Sequence, residues 1–281
     1  MLKTRIITAV LLLAVLLPAL FYNAPEPFCV LTLVFITAAG WEWGRLNGCR
    51  QPVSVALALV CLALCVGAWS LGWLEAPSRA LWLGVGAAWV LGGAALLRAG
   101  VGGWSRWPLA LRLTGGVLVL WFAWLAMAQA RFIGINFLLS ALLLVWVADI
   151  AAYFAGRALG GRFSRAKLAA SISPGKSWEG VWGGMVGVLL LAGLWCWIDQ
   201  RWQLQVPSLY SRLAAQGLWL LVLGAVFLAA MSVVGDLVES LVKRSAGAKD
   251  SSGLLPGHGG VLDRVDALLP VLPLVMMLAT R

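Results

Sequence analysis

The run AQGLWLLVLGAVFLAAMSVVGDLV at residues 215–238 carries no charged side chain until Asp236. A helix needs about 20 predominantly apolar residues to cross the hydrocarbon core of a bilayer. This run meets that length, and its first acidic group stands near one end. Similar runs lie at roughly 6–22, 27–44, 53–74, 80–97, 110–128, 133–155, 180–198 and 262–280. The sequence therefore predicts an all-α integral membrane protein with about nine transmembrane helices. Composition agrees: 62% of the 281 residues are hydrophobic and only 11% are charged. A soluble domain carries about 25% charged residues, so a water-soluble globule is excluded.

The first run follows Lys3 and Arg5 like a signal peptide, but no small-x-small cleavage site follows it and it reads as retained. Lys and Arg total 21 against 11 Asp and Glu, a formal net charge of +10. Membrane proteins collect basic residues in cytoplasmic loops whatever their function, so the excess does not imply a nucleic-acid partner. Most of the basic residues fall at the N-terminus and in the even-numbered loops, whereas Arg79, Arg131, Arg201, Arg212 and Arg281 fall on the other face. The bias places the N-terminus and the loops 156–179 and 239–261 in the cytoplasm. The five cysteines lie in or beside apolar stretches, and the single histidine leaves no zinc pattern.

The acidic residues divide the chain. Residues 1–148 hold only Glu26, Glu42 and Glu75 and read as transmembrane scaffold of about five spans. The remaining acidic groups lie in 149–281, which reads as the catalytic membrane region. On a helix continuing the eighth span, Asp236, Glu239, Ser240 and Lys243 form one polar stripe. A carboxylate there is costly unless it faces a cavity, a cation or a partner; internal pairing with Lys243 is the simpler alternative. Asp263 and Asp266 share a face at the start of the last span, where one could serve as a helix cap. Hard oxygen ligands from two facing helix ends suit Mg2+ bound with phosphate.

Between these ends, glycine-bearing turns around Gly253 and at Gly257-His258-Gly259-Gly260 let backbone amides approach an anion. Lys243, Arg244 and Lys249 add charge that phosphate oxygens can use. A second cluster runs from Asp149, Tyr153 and Gly156 to SISPGKSWEG at 171–180, where Lys176 and Ser177 could meet a phosphate. Asp149 either lines the site or supports the fold, and Glu179 could simply start the seventh helix favourably. Both clusters share one predicted membrane face.

Ser240, Lys243-Arg244, Lys249-Asp250, His258-Gly259-Gly260 and Asp263-Arg264-Val265-Asp266 together resemble the signature of the phosphatidate cytidylyltransferases (CDP-diacylglycerol synthases). Asp149, Tyr153, Gly156, Ser173, Pro174, Lys176, Ser177 and Glu179 resemble the same family, so the likeness covers 149–266. It implies a nucleotidyltransferase of phospholipid biosynthesis: CMP passes from CTP to phosphatidic acid, giving CDP-diacylglycerol and pyrophosphate. It implies Mg2+ on Asp236 and Asp263, with room for a monovalent cation such as K+. Asp236, Asp263, Asp266 and Lys243 are then the expected catalytic residues. Ser173, Lys176, Ser177, Asp149, Arg244, Lys249, Asp250, His258, Gly259, Gly260 and Arg264 are the expected substrate contacts.

The expected partners are CTP, phosphatidic acid and the lipid bilayer, with no nucleic acid and a homodimer left open. The expected location is a bacterial inner membrane, with the site facing the cytoplasm. The alternatives are a related CTP-dependent lipid enzyme of the CDP-archaeol synthase or polyprenol kinase type, and more remotely a transporter.

Overall fold

The computed structural model of the chain describes residues 2–164 and 167–280. Arg165 and Arg281, both part of the basic-residue argument, lie outside the described residues. Among the described residues, eight helices are long and apolar enough to cross a membrane. They are α1 (Leu2–Phe21), α2 (Glu26–Leu46), α3 (Gln51–Ser70), α4 (Arg79–Ala99), α6 (Leu109–Ile133), α7 (Ile135–Leu159), α8 (Trp178–Trp202) and α10 (Leu218–Ser245). The short α5 (Val101–Trp104) and α9 (Leu209–Gln216) sit between spans.

The ninth predicted span, 262–280, is less regular than the other eight. It divides into α11 (Leu262–Val265) and α12 (Leu268–Ala279), with Asp266 and Ala267 keeping right-handed helical backbone between them. The run 262–279 is about 27 Å long against a hydrocarbon core of about 30 Å. Pro273 lies inside it, and every residue from Leu268 to Met276 is buried. A helix apolar on all sides is a core element or a span enclosed by other helices, and α12 packs against α4, α6 and α10.

Two glycines each form a whole connection between helices. Gly134 (φ 147°) alone separates α6 from α7, and Gly217 (φ 147°) alone separates α9 from α10. Only a residue without Cβ adopts that φ at little cost. The helices α7 and α8 meet through small residues: a Cβ on Gly183 would lie 2.1 Å from that of Ala155, and one on Gly184 would lie 2.9 Å from the Ala148 carbonyl oxygen. Close approach of this kind is how membrane helices gain contact without a hydrophobic driving force. All five cysteines are free thiols. The packing brings the ends of α7, α8 and α10 together, and the site forms there.

Candidate active site

The last turns of α10 run past the predicted span limit to Ser245, so Asp236, Glu239, Ser240 and Lys243 share one continuous helix, as the stripe predicts. Their partners differ along it. Asp236 accepts a hydrogen bond from Ser240 Oγ at 3.2 Å and forms an ion pair with Lys176 from the loop ahead of α8. Lys243 Nζ lies 2.6 Å from Glu239 Oε2 and 2.6 Å from Asp263 Oδ1. This second cluster is largely buried, with side-chain exposures of 11% for Lys243 and 5% for Asp263.

The other oxygen of Asp263 is also occupied. Oδ2 accepts from Ser251 N at 2.8 Å, Ser251 Oγ at 2.9 Å and Gly260 N at 2.8 Å. Asp263 sits in α11, outside the eight spanning helices. Burial pushes its carboxyl upward, but Lys243 and the amides of Gly260 and Ser251 outweigh burial and hold it below the ordinary carboxylate range. The His258 amide donates to the Leu255 carbonyl at 2.8 Å, and Arg264 Nε donates to the His258 carbonyl at 3.1 Å. Arg264 thus braces the glycine turn. Arg244 donates to the Ala248 carbonyl at 3.1 Å, and Lys249 and Asp250 are exposed beside the turn.

A cavity of about 410 Å³ lies between α7, α8 and α10, lined by Asp149, Tyr153, Arg157, Lys176, Ser177 and Asp236 among others. Asp149 and Asp236 line this cavity together, and Asp266 lies against α10 at Gly235. The structure therefore brings the two sequence clusters into one site across α10. Ser177 also caps α8 by accepting from Gly180 N at 3.2 Å. Ser173 remains in the 169–176 turn, where its amide donates to Ala169 O at 2.8 Å.

Among the described residues, no group of three or more His, Cys, Asp and Glu side chains is set to hold a metal ion. The donors nevertheless fit a hard cation at Asp236: carboxylate oxygens face a cavity, and the Lys176 ammonium already sits as a cation on them. Both oxygens of Asp263 are engaged as those of Asp236 are, in its case by Lys243, Ser251 and Gly260 and in a more buried setting.

One carboxylate, Glu42, escaped the sequence reading of the site, and Glu179, read there as a favourable helix start, has a further role. Glu179 is 3% exposed and accepts from Phe163 N at 3.1 Å and Ser164 N at 2.8 Å, holding the loop after α7. Glu42 of α2 is fully buried and accepts from Val261 N at 2.9 Å, Leu262 N at 2.8 Å, and the hydroxyls of Ser251 and Ser252. A carboxylate inside the predicted span 27–44 is the signal that marks it, since such a group needs a partner. Thr8 of α1 adds a further contact, donating to the Pro256 carbonyl at 2.9 Å.

Residues 3–280 match the model of the Cytidylyltransferase family. A phosphatidate cytidylyltransferase of Pseudomonas aeruginosa is 39% identical over 97% of this chain and 95% of its own length. Proteins of the same name from Haemophilus influenzae and Brucella suis are 33% and 36% identical; they cover 97% and 98% of this chain, and 96% and 92% of the relatives. With a match that runs through nearly every residue and through both halves of the site, this chain belongs to the cytidylyltransferase family.

Proposed function

We infer that this chain is a phosphatidate cytidylyltransferase, transferring CMP from CTP to phosphatidic acid and releasing pyrophosphate. The observation that carries the reading is the Lys176–Asp236 pair, which joins the two polar segments in one cavity at the end of a membrane bundle. The names of its full-length relatives support it.

A phosphate oxygen of phosphatidic acid forms a bond to the α-phosphorus of CTP. The bond from that phosphorus to the bridging oxygen breaks, and pyrophosphate leaves with the electron pair. The attacking oxygen is already anionic, so no base is required; the obstacle is the approach of two anions. Lys176, with Arg157 on the same cavity wall, offsets that repulsion where water is partly excluded. Asp236 and Asp263, with Asp149 and Asp266 nearby, would hold Mg2+, and a monovalent cation such as K+ can accompany it. Mg2+ supplies Lewis-acid polarisation of phosphate oxygens and offsets charge on the departing pyrophosphate. The His258–Gly260 turn, braced by Arg264, presents amides on the nucleotide side. Fixed placement of both substrates contributes much of the remaining rate.

A second cavity of about 590 Å³ lies behind α10, lined by Trp43, Trp89, Gly92, Trp104, Val238 and Glu239 among others. Leu111 and Leu118 line it too and are 52% and 44% exposed, so it opens on the lipid-facing surface. An acyl chain entering sideways from the bilayer fits this apolar lining beside the polar end of α10. The basic bias of the loops supports a bacterial inner-membrane protein with its site on the cytoplasmic side, where CTP is found.

The experiment supplies purified protein with phosphatidic acid, Mg2+ and CTP labelled in the cytidine moiety. Label should enter the lipid phase, and should be lost both without Mg2+ and in Asp236→Asn. Transfer of label only from the γ-phosphate of CTP would replace the reading with a lipid kinase.

A further inference from the structure

Glu42 belongs to the half of the chain that reads as scaffold, yet every donor found on its carboxylate comes from the loop 251–262. Each carboxylate oxygen takes one hydroxyl and one amide. Oε1 accepts from Ser252 Oγ and Val261 N, and Oε2 accepts from Ser251 Oγ and Leu262 N. Ser251 Oγ is also 2.9 Å from Asp263 Oδ2. A hydroxyl has one proton, so Ser251 donates to Glu42 or to Asp263 but not to both at once.

We propose that Glu42 is a positioning residue for the transfer site: its carboxylate sets the 251–262 loop and, through Ser251, the orientation of Asp263. The inference rests on the cytidylyl-transfer reading for its effect on rate, and on geometry alone for its effect on the loop. When Asp263 turns toward a cation or a substrate, Glu42 remains to take the Ser251 proton, and the loop keeps its shape. Gly260 fits the same arrangement, since a Cβ there would lie 2.0 Å from Ser251 Oγ and 2.3 Å from Glu42 Oε1. A buried carboxylate that only closed its own helix would bond within α2, whereas these partners lie 209 to 220 positions away.

Glutamine cannot replace this carboxylate. In either orientation its NH2 group faces a backbone N–H, of Val261 or of Leu262, and an amide donor cannot turn to accept. One buried amide is then left without an acceptor.

The test compares the native full chain, Glu42→Gln and the exposed control Glu75→Gln in detergent with phosphatidic acid, Mg2+ and cytidine-labelled CTP. Hydrogen–deuterium exchange is read on the same samples. Glu42→Gln should stay monodisperse, lose about tenfold or more in kcat, and keep its KM for phosphatidic acid within about twofold. Its extra deuterium uptake should be confined to 251–262. Native kcat and native exchange in Glu42→Gln would overturn the proposal. So would a loss that tracks the folded fraction with uptake raised everywhere.

Should Glu42→Gln not fold, Ser252→Ala, which removes a single donor, should show a smaller kcat loss and the same confined uptake; native values there overturn the proposal. Should the native chain transfer no label, the functional reading fails and exchange alone decides. Uptake confined to 251–262 then upholds the positioning role, and uniform uptake overturns it.

Discussion

Lys176 and Asp236 form an ion pair that ties the loop ahead of α8 to the polar end of α10. Their side chains are 26% and 32% exposed, so the pair lies in a cavity that water and substrate can enter. Exposed pairs contribute about 0–1 kcal/mol to stability. A cation placed against developing phosphate charge is worth far more in rate, about 100-fold or more. Lys176→Met should therefore lose about 100-fold in kcat while its thermal midpoint stays close to native. Steady-state assays alongside a thermal melt check both halves of that expectation.

Lys243 should behave in the opposite way. It lies between Glu239 and Asp263 in a nearly buried cluster. Removing one partner of a buried ion pair costs about 3–5 kcal/mol, because an uncompensated charge remains. Lys243→Met should lower the yield of folded protein and the thermal midpoint together with activity. Adding Glu239→Gln removes one of the stranded charges and should recover part of the midpoint but not the activity. A melt of the single and double variants decides this, and an unchanged midpoint in Lys243→Met would move the lysine from the frame of the site to substrate.

This contrast marks how far the sequence could be read. The spans, the stripe on α10 and the convergence of 149–180 with 236–266 were legible, because apolar run length, helical period and motif spacing are local properties. So was the pairing of Lys243 within its own helix, which the structure shows with Glu239, but the partners made across the fold were not. Lys176 and Lys243 look alike in sequence, and only the fold gives one a cavity and the other a buried acidic cage. Glu42 was marked only as a carboxylate inside a span, and its partners were hidden for the same reason, since its donors lie more than 200 positions away. The enclosure of α12 by its neighbours was hidden because burial by protein and burial by lipid select the same side chains.

The cavity behind α10 makes a prediction for the lipid. Gly92 lines it, and a Cβ there would meet nothing within 4 Å. Gly92→Phe should therefore be accommodated by α4, whose helix gains from losing a glycine. Its ring would fill part of the space assigned to an acyl chain. KM for long-chain phosphatidic acid should rise about tenfold, KM for CTP should not change, and short-chain phosphatidic acid should be affected less. Rates measured across a chain-length series test this, and a uniform response to all lengths would place the acyl chain elsewhere.

The glycines of the signature loop should differ sharply from one another. A Cβ on Gly260 would run into Ser251 Oγ and the Glu42 carboxylate, while one on Gly253 would meet nothing within 4 Å. Gly253 is not among the glycines with positive φ, so alanine there should change stability by no more than about 0.5 kcal/mol. Gly260→Ala must instead push Ser251 away from Asp263 or Glu42 off the loop, leaving a buried carboxylate short of donors. That penalty is about 1–3 kcal/mol or more for charged groups, and Asp263 loses its orientation as well. Gly260→Ala should show a lowered thermal midpoint and a kcat loss of about 100-fold. Parallel melts and label-transfer assays on the two variants separate the positions, and equal behaviour would mean that Ser251 and Glu42 do not hold this loop during turnover.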